Sequence, residues 1–139
     1  FDEPAAVVIK HTNPCGAAIG RSAADAYVRA READSLSAFG GIVALNRTLD
    51  VPAAEAIVST FIEAVIVPGI DEAAKSILAK KANMRVVAAD FESLRSAGLE
   101  VRSILGALLA QERDYVAEAR QPWTPGTLPD GVKVVTRRQ

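Results

Sequence analysis

Several residue types that support extracellular, metal-binding or stacking functions are scarce in this sequence. Its 139 residues include one cysteine and one histidine, and aromatic residues make up 5%. The single cysteine, Cys15, excludes an internal disulfide and any zinc site built from several cysteines. It is typical of a reducing compartment, so we expect a cytoplasmic protein. No apolar run approaches the roughly 20 residues needed to span a bilayer.

The charge pattern excludes nucleic acid as an expected partner. The formal net charge is −1, with 24% of residues charged. Phosphate binding requires clustered lysine and arginine, and the pair Arg137–Arg138 is too short to form such a patch. The low aromatic content also disfavours a surface on which bases stack.

What is present is an ordinary complement of core residues. Apolar residues make up 50% of the chain, which predicts one globular domain over residues 1–139. A domain of this size buries about two-thirds of its unfolded surface and needs no disulfide or metal for stability. Because the chain begins with Phe1 rather than methionine, we expect it to be a piece of a longer polypeptide.

Apolar runs of strand length alternate with helical patterns along the chain. The predicted strands are Ala5–Ile9, Gly41–Asn46, Glu63–Gly69, Met84–Asp90 and Val132–Thr136. The predicted helices begin at the caps Ser22, Asp50 and Asp71 and run to about Ala33, Phe61 and Lys81. A turn is expected at Asn13–Pro14 and a loop at Ser35–Gly41, whereas Val101–Glu112 fits either a strand or a helix. This alternation predicts an α/β fold, a three-layer α/β/α sandwich with helices on both faces of the sheet.

The only histidine, His11, follows Lys10 at the end of the first predicted strand. Successive residues of a regular strand point to opposite faces, so both side chains reach one pocket only where the chain leaves strand geometry. Pro14 favours such an irregularity, because it restricts Asn13 and lacks an N–H for a ladder. Histidine can accept or donate a proton near neutral pH. The alternative is a solvent-exposed strand end without chemistry.

The segment Ser35–Asn46, "SLSAFGGIVALN", carries a second candidate site. Two glycines before a strand allow backbone N–H groups to approach a ligand closely, and Phe39 is suited to stack on a flat ring. A tight turn with a core phenylalanine is the alternative. At the start of the next apolar run, Glu63 is either solvated or held for an amine or amide of a ligand.

A zinc deaminase is excluded by the spacing around His11 and Cys15. That chemistry needs His-x-Glu followed by Pro-Cys-x-x-Cys. Here His11 is followed by Thr-Asn, and Cys15 is followed by Gly-Ala-Ala with no second cysteine.

Four segments, in order and with compatible spacing, together resemble one family. They are "IKHTNPCGAAIG" (residues 9–20), "DSLSAFGGIVALNR" (34–47), "FIEAVIVPG" (61–69) and "VKVVTRRQ" (132–139). They resemble the transformylase portion of the bifunctional purine-biosynthesis family. That family combines aminoimidazole carboxamide ribonucleotide (AICAR) formyltransferase with inosine monophosphate cyclohydrolase. The resemblance covers essentially the whole chain.

The resemblance implies a cytidine-deaminase-like lobe without zinc. The chain would be the first of two such lobes, preceded by the cyclohydrolase domain. The implied reaction moves a formyl group from 10-formyltetrahydrofolate to the 5-amino group of AICAR, without a metal. The family builds its site across a homodimer, so the chain alone is expected to fold but not to turn over. A non-catalytic lobe for dimerisation or ligand binding on the same scaffold is the alternative.

The resemblance also assigns roles to six residues by motif position. His11 would transfer the proton, and Lys10 would polarise the formyl group or protonate the leaving nitrogen. The other positions would bind the two substrates: the Gly40 backbone and Glu63 the nucleotide, and Phe39 and Leu36 the folate. Asn13 and Cys15 would only shape the turn.

Overall fold

The computed structural model describes residues 1–91 and 98–112 of the chain. The strand predicted at 132–136 therefore lies outside the described residues. The chain divides into two compact units, residues 1–96 and 97–139. The single domain expected over 1–139 stays a prediction, and the two units are described separately below.

Residues 1–91, the described part of the first unit, include a five-stranded sheet and the four helices given below. The strands are β1 (Ala5–Lys10), β2 (Asn13–Ile19), β3 (Gly41–Leu45), β4 (Ile62–Val67) and β5 (Arg85–Ala88), in the spatial order β2-β1-β3-β4-β5. The helices are α1 (Ala23–Ala33), α2 (Ser35–Ala38), α3 (Val51–Val58) and α4 (Glu72–Leu78). Strand β1 pairs antiparallel with both β2 and β3, whereas β3, β4 and β5 are parallel. The α/β class predicted from the sequence is confirmed.

The core lies between this sheet and one layer of helices. The two parallel connections, through α3 and α4, advance in the same direction across the sheet, and right-handed crossovers then place both helices on one face. Helix α3 contacts both α1 and α4. The strand residues Val8, Val43 and Val65 are fully buried on this face, together with Tyr27 and Ile57 of the helices.

The opposite face of the sheet is apolar but less covered. Its residues Val7, Ala44 and Ile66 are half-buried, and Ile42 is exposed. Among residues 1–91 and 98–112, helices α1, α3 and α4 form one layer, in which α3 contacts both of the others. The second helical layer expected in a three-layer sandwich is therefore not among the described elements.

Helix starts follow the predicted caps. The Ser22 hydroxyl accepts a hydrogen bond from the Asp25 N–H at 3.1 Å, and the Asp50 carboxylate accepts one from the Ala53 N–H at 2.9 Å. Each satisfies a backbone donor that the first helical turn leaves unpaired. Asp71 occupies the cap position of α4 without a side-chain hydrogen bond.

Three predictions about connecting segments are wrong. Asn13–Pro14 is not a turn: it begins β2, an edge strand, where the ladder shifts register between Val8 and Ile9 and proline is tolerated. The loop expected at Ser35–Gly41 contains the short helix α2, capped by Asp34. Helices α3 and α4 end at Val58 and Leu78, each about one turn earlier than expected.

The described part of the second unit is a hairpin. Strands β6 (Leu99–Ile104) and β7 (Ala107–Glu112) pair antiparallel through a turn at Leu105–Gly106, where both residues have positive φ, 46° and 84°. This geometry matches a two-residue hairpin turn. The ambiguous segment Val101–Glu112 is therefore two strands.

Candidate active site

The candidate site lies at the edge of the sheet where the parallel strands begin. Because β1 is antiparallel to β3, its last residue, Lys10, lies beside the start of β3. The start of β4 lies at the same edge, with Gly41 paired to Ile62. Strand pairing therefore brings together the Lys10–His11 and Phe39–Gly40 segments, which are far apart in the sequence.

His11 leaves strand geometry, as its candidate role requires. With Thr12 it forms the two-residue turn between β1 and β2, and the two residues have φ of 50° and 65°. The left-handed region is costly for residues other than glycine, and it is especially unusual for a β-branched residue such as threonine. The His11 carbonyl accepts hydrogen bonds from the Thr12 hydroxyl at 2.6 Å and the Asn13 side-chain amide at 3.1 Å. Strain concentrated at an exposed histidine is a feature of functional sites.

Lys10 contacts the second motif directly. Its ammonium donates a hydrogen bond to the main-chain carbonyl of Phe39. The next residue, Gly40, has φ of +67°, and a Cβ built there would lie 3.1 Å from Lys10 Nζ. A glycine at this position therefore allows both the left-handed backbone and the close approach of the lysine.

Phe61 belongs to the same cluster, although the sequence pattern does not indicate it as a site residue. Its ring packs against Phe39 with centroids 5.2 Å apart and planes tilted by 45°. Its carbonyl accepts a hydrogen bond from the Gly40 N–H at 2.8 Å. The pattern assigned Phe61 to the end of a helix, whereas α3 ends at Val58. An aromatic residue directly before an apolar strand was the available signal.

The other predicted site residues lie on exposed surface around this cluster. The Leu36 and Phe39 side chains are 89% and 64% exposed. Glu63 lies where the ladder between β3 and β4 shifts register. Its carboxylate forms an ion pair with Arg85 at 3.5 Å, and both side chains are largely exposed. Glu63 is thus solvent-accessible and paired with Arg85, and its contact with a ligand stays a prediction.

Two further observations concern metals and membranes. Within residues 1–91 and 98–112, no group of three or more histidine, cysteine, aspartate or glutamate side chains is placed to hold a metal ion. None of the helices in the described ranges is long and apolar enough to cross a membrane.

A cleft of about 530 Å³ opens at the opposite edge of the sheet. Its lining includes Arg47 after β3, Pro68 after β4 and Phe91 after β5. The Pro68–Gly69 turn therefore does not share an edge with Lys10 and Gly40. Arg47 and its neighbour Asn46 hydrogen-bond main-chain carbonyls of residues 1–3 in this region.

Comparison with solved structures identifies the class of fold. The chain is similar to Acinetobacter baumannii RibD in two crystal forms, each with a TM-score of 0.53 over 66% of this chain and 29% of the RibD chain. The identities are 23% and 21%. The similarity confirms the predicted cytidine-deaminase-like α/β fold.

Comparison of sequences then identifies the family. The chain belongs to the AICARFT/IMPCHase bienzyme family, whose pattern matches residues 1–139. It is 52% identical over 113 residues to the bifunctional purine biosynthesis protein PurH of Rhizobium leguminosarum, covering 81% of this chain. It is 45% identical over 146 residues to PurH of Anaeromyxobacter sp., covering 99% of this chain. The chain spans 21% and 26% of the lengths of these two relatives.

Proposed function

We propose that this chain is the first lobe of the formyltransferase region of a longer bifunctional enzyme. The reaction transfers a formyl group from 10-formyltetrahydrofolate to the 5-amino group of AICAR, in purine biosynthesis. Family membership over residues 1–139 supports this proposal. The partial coverage of the PurH relatives, 21–26% of their lengths, agrees with a lobe that works within a longer polypeptide.

The observation that carries the proposal is the hydrogen bond from the Lys10 ammonium to the Phe39 carbonyl. It joins two motifs that lie 29 residues apart in the sequence. The residue after Lys10, His11, lies in the strained hairpin turn that exposes it at the same edge of the sheet. A general acid and a general base that each reach the reacting groups can carry the proton transfers of a metal-free reaction.

The proposed reaction needs two proton movements. The acceptor amine is a weak nucleophile, because its lone pair is delocalised into the imidazole carboxamide. As its nitrogen bonds to the formyl carbon, neutral His11 removes a proton from that nitrogen. The bond between the formyl carbon and the folate nitrogen then breaks, and the leaving nitrogen takes up a proton. Lys10 supplies that proton, or it polarises the formyl oxygen while His11 passes on the proton that it removed. In both cases Lys10 uses ammonium hydrogens that Phe39 does not engage.

The remaining residues are proposed to bind the substrates. The Gly40 N–H donates to the Phe61 carbonyl, so the main-chain group of Gly40 that is proposed to contact the nucleotide is the Gly40 carbonyl. Glu63 supplies a carboxylate for a hydrogen-bond donor of the nucleotide. Phe39 and Leu36 present exposed apolar surface to the folate. The accessibility of all four residues supports these roles.

The assembly and its setting complete the proposal. We propose a cytoplasmic homodimer whose active site combines this lobe with residues from outside the chain and uses no metal. The longer polypeptide also carries the IMP cyclohydrolase activity. The isolated chain is expected to lack formyltransferase activity, because one lobe supplies only part of the site.

The test is steady-state formyl transfer by the full-length enzyme carrying Lys10→Ala or His11→Ala. Removing a positioned acid or base lowers kcat by about 10²–10⁴-fold. Lys75→Ala is the matched control, because Lys75 is an exposed lysine paired with Glu72 on α4. The control is expected to retain kcat. Near-wild-type kcat in both site variants would refute the assignment and favour a non-catalytic lobe.

A further inference from the structure

We infer that Phe61 is a positioning residue that sets the location of the Lys10 ammonium. The inference rests on the proposed function, because it assigns Lys10 a role in the transfer. Phe61 acts through the Phe39–Gly40 segment rather than by touching a substrate. The argument starts from the fact that the hydrogen-bond acceptor of Lys10 is the main-chain carbonyl of Phe39. Contacts that hold the Phe39 main chain in place therefore also hold the Lys10 ammonium in place.

Phe61 holds that segment at two adjacent points. Its carbonyl accepts the Gly40 N–H at 2.8 Å, and its ring packs on the Phe39 ring at 5.2 Å between centroids. The first contact restrains the main chain on one side of the Phe39 carbonyl, and the second restrains the side chain of the same residue.

The space beside Gly40 is shared by Phe61 and Lys10. A Cβ at Gly40 would lie 3.4 Å from Phe61 Cε1 and 3.1 Å from Lys10 Nζ. The ring and the ammonium thus approach the same point, next to the left-handed residue. Shortening the Phe61 side chain opens this space and frees the Phe39 ring. The carbonyl of Phe39 and the ammonium bonded to it can then move together.

Phe61 is suited to this test because its side chain is not part of the buried core. It is 44% exposed, and β4 begins directly after it at Ile62, whose pairing with Gly41 is independent of the Phe61 ring. Truncation of a partly exposed side chain outside the core is expected to leave the fold intact. A change in catalysis can therefore be separated from a loss of structure.

The experiment measures formyl transfer by full-length enzyme with Phe61→Ala, Phe61→Leu and Phe61→Tyr. Phe91→Ala is the matched control, since Phe91 lies at the opposite edge of the sheet. Misplacing a catalytic group by a fraction of an ångström is expected to lower kcat about tenfold in Phe61→Ala, with the KM values for both substrates nearly unchanged. Phe61→Tyr retains the ring and is expected to restore kcat. Melting temperatures verify folding, and Phe61→Leu replaces Phe61→Ala if the latter unfolds.

A double variant tests whether the effect passes through Lys10. In a Lys10→Ala background, Phe61→Ala is expected to cause no further loss of kcat, because the group that it positions is already absent. The inference is overturned if the losses of kcat from Lys10→Ala and Phe61→Ala multiply in the double variant. It is also overturned if Phe61→Ala raises KM with unchanged kcat, or if Phe61→Ala has the same kcat as Phe91→Ala. If Lys10→Ala itself retains wild-type kcat, the inference fails, and the proposed function fails as well if His11→Ala also retains it. If Lys10→Ala is inactive while Phe61→Ala behaves like the control, only the inference fails.

Discussion

Replacement of Gly40 by alanine perturbs the proposed site at a single carbon atom. Gly40 has φ of +67°, a conformation that L side chains rarely adopt, and the added Cβ would lie 3.1 Å from Lys10 Nζ. The backbone strain and the contact have different consequences. Strain lowers the free energy of unfolding, whereas the contact displaces the ammonium that the proposal places in the reaction.

Three contributions determine the expected change in the free energy of unfolding. Holding alanine in the left-handed region costs about 1–2 kcal/mol. Alanine restricts the unfolded chain more than glycine does, which offsets about 0.4–1 kcal/mol of this cost. The contact adds little to the cost, because Nζ is the far end of a flexible side chain and can shift by a few tenths of an ångström. Gly40→Ala is therefore expected to lower the free energy of unfolding by about 1 kcal/mol and kcat by about tenfold, through misplacement of Lys10.

Gly69→Ala is the matched control for this prediction. Gly69 lies in the turn after β4, and a Cβ there would meet Thr48 at 3.6 Å, an ordinary contact without positive φ. Urea unfolding and formyl transfer are measured for both variants in the full-length enzyme. The control is expected to match wild type in rate and to be as stable or slightly more stable. If Gly40→Ala equals Gly69→Ala in both measurements, the role of Gly40 in placing Lys10 is refuted.

Two further predictions concern the scaffold and its acid response. Gly16→Ala places a Cβ 1.9 Å from the Ala30 carbonyl oxygen, so α1 must shift. We expect the free energy of unfolding, measured with urea, to fall by about 3 kcal/mol or more. Wild-type stability would contradict the packing of β2 on α1. The Ser37 hydroxyl, followed by the Ser37 N–H, holds the pKa of Asp34 below its ordinary value of 3.8. Its stabilising contribution is therefore present above pH 3.8 and is lost as pH falls through the lower folded value. An NMR titration of Asp34 should give a midpoint below 3.8, which Ser37→Ala should raise; a wild-type midpoint at or above 3.8 would contradict the cap.

The repeating elements of the first unit were predictable because their signals are local. Ala5–Ile9 and the apolar run at the start of β3 have the residue types of buried strands, and they form the centre of the sheet. Ser22 and Asp50 mark helix starts through hydrogen bonds that span only three residues. Such signals depend on neighbouring residues in the chain and hold whatever the tertiary structure.

The contacts among the site residues were less predictable, because they depend on strand register. Phe61 reaches Phe39 only because β4 lies beside β3 with Ile62 opposite Gly41. Arg85 reaches Glu63 only because β5 pairs with β4. The sequence pattern indicates that these strands exist but does not give their order or their offset. The position of the first hairpin turn differs from the prediction for a related reason. Pro14 predicts the end of the ladder, whereas an edge strand tolerates proline.

The direction of β1 explains why the candidate site lies at an edge where parallel sheets do not usually bind ligands. In open α/β sheets, ligands bind outside the carboxyl ends of the strands, and here that edge holds the cleft lined by Arg47 and Pro68. Lys10 nevertheless reaches the amino ends of β3 and β4, because β1 runs antiparallel to them. The strained turn after β1 then exposes His11 at the same edge. The candidate site thus depends on the antiparallel hairpin, and a change that alters this hairpin should impair catalysis even where the parallel core remains intact.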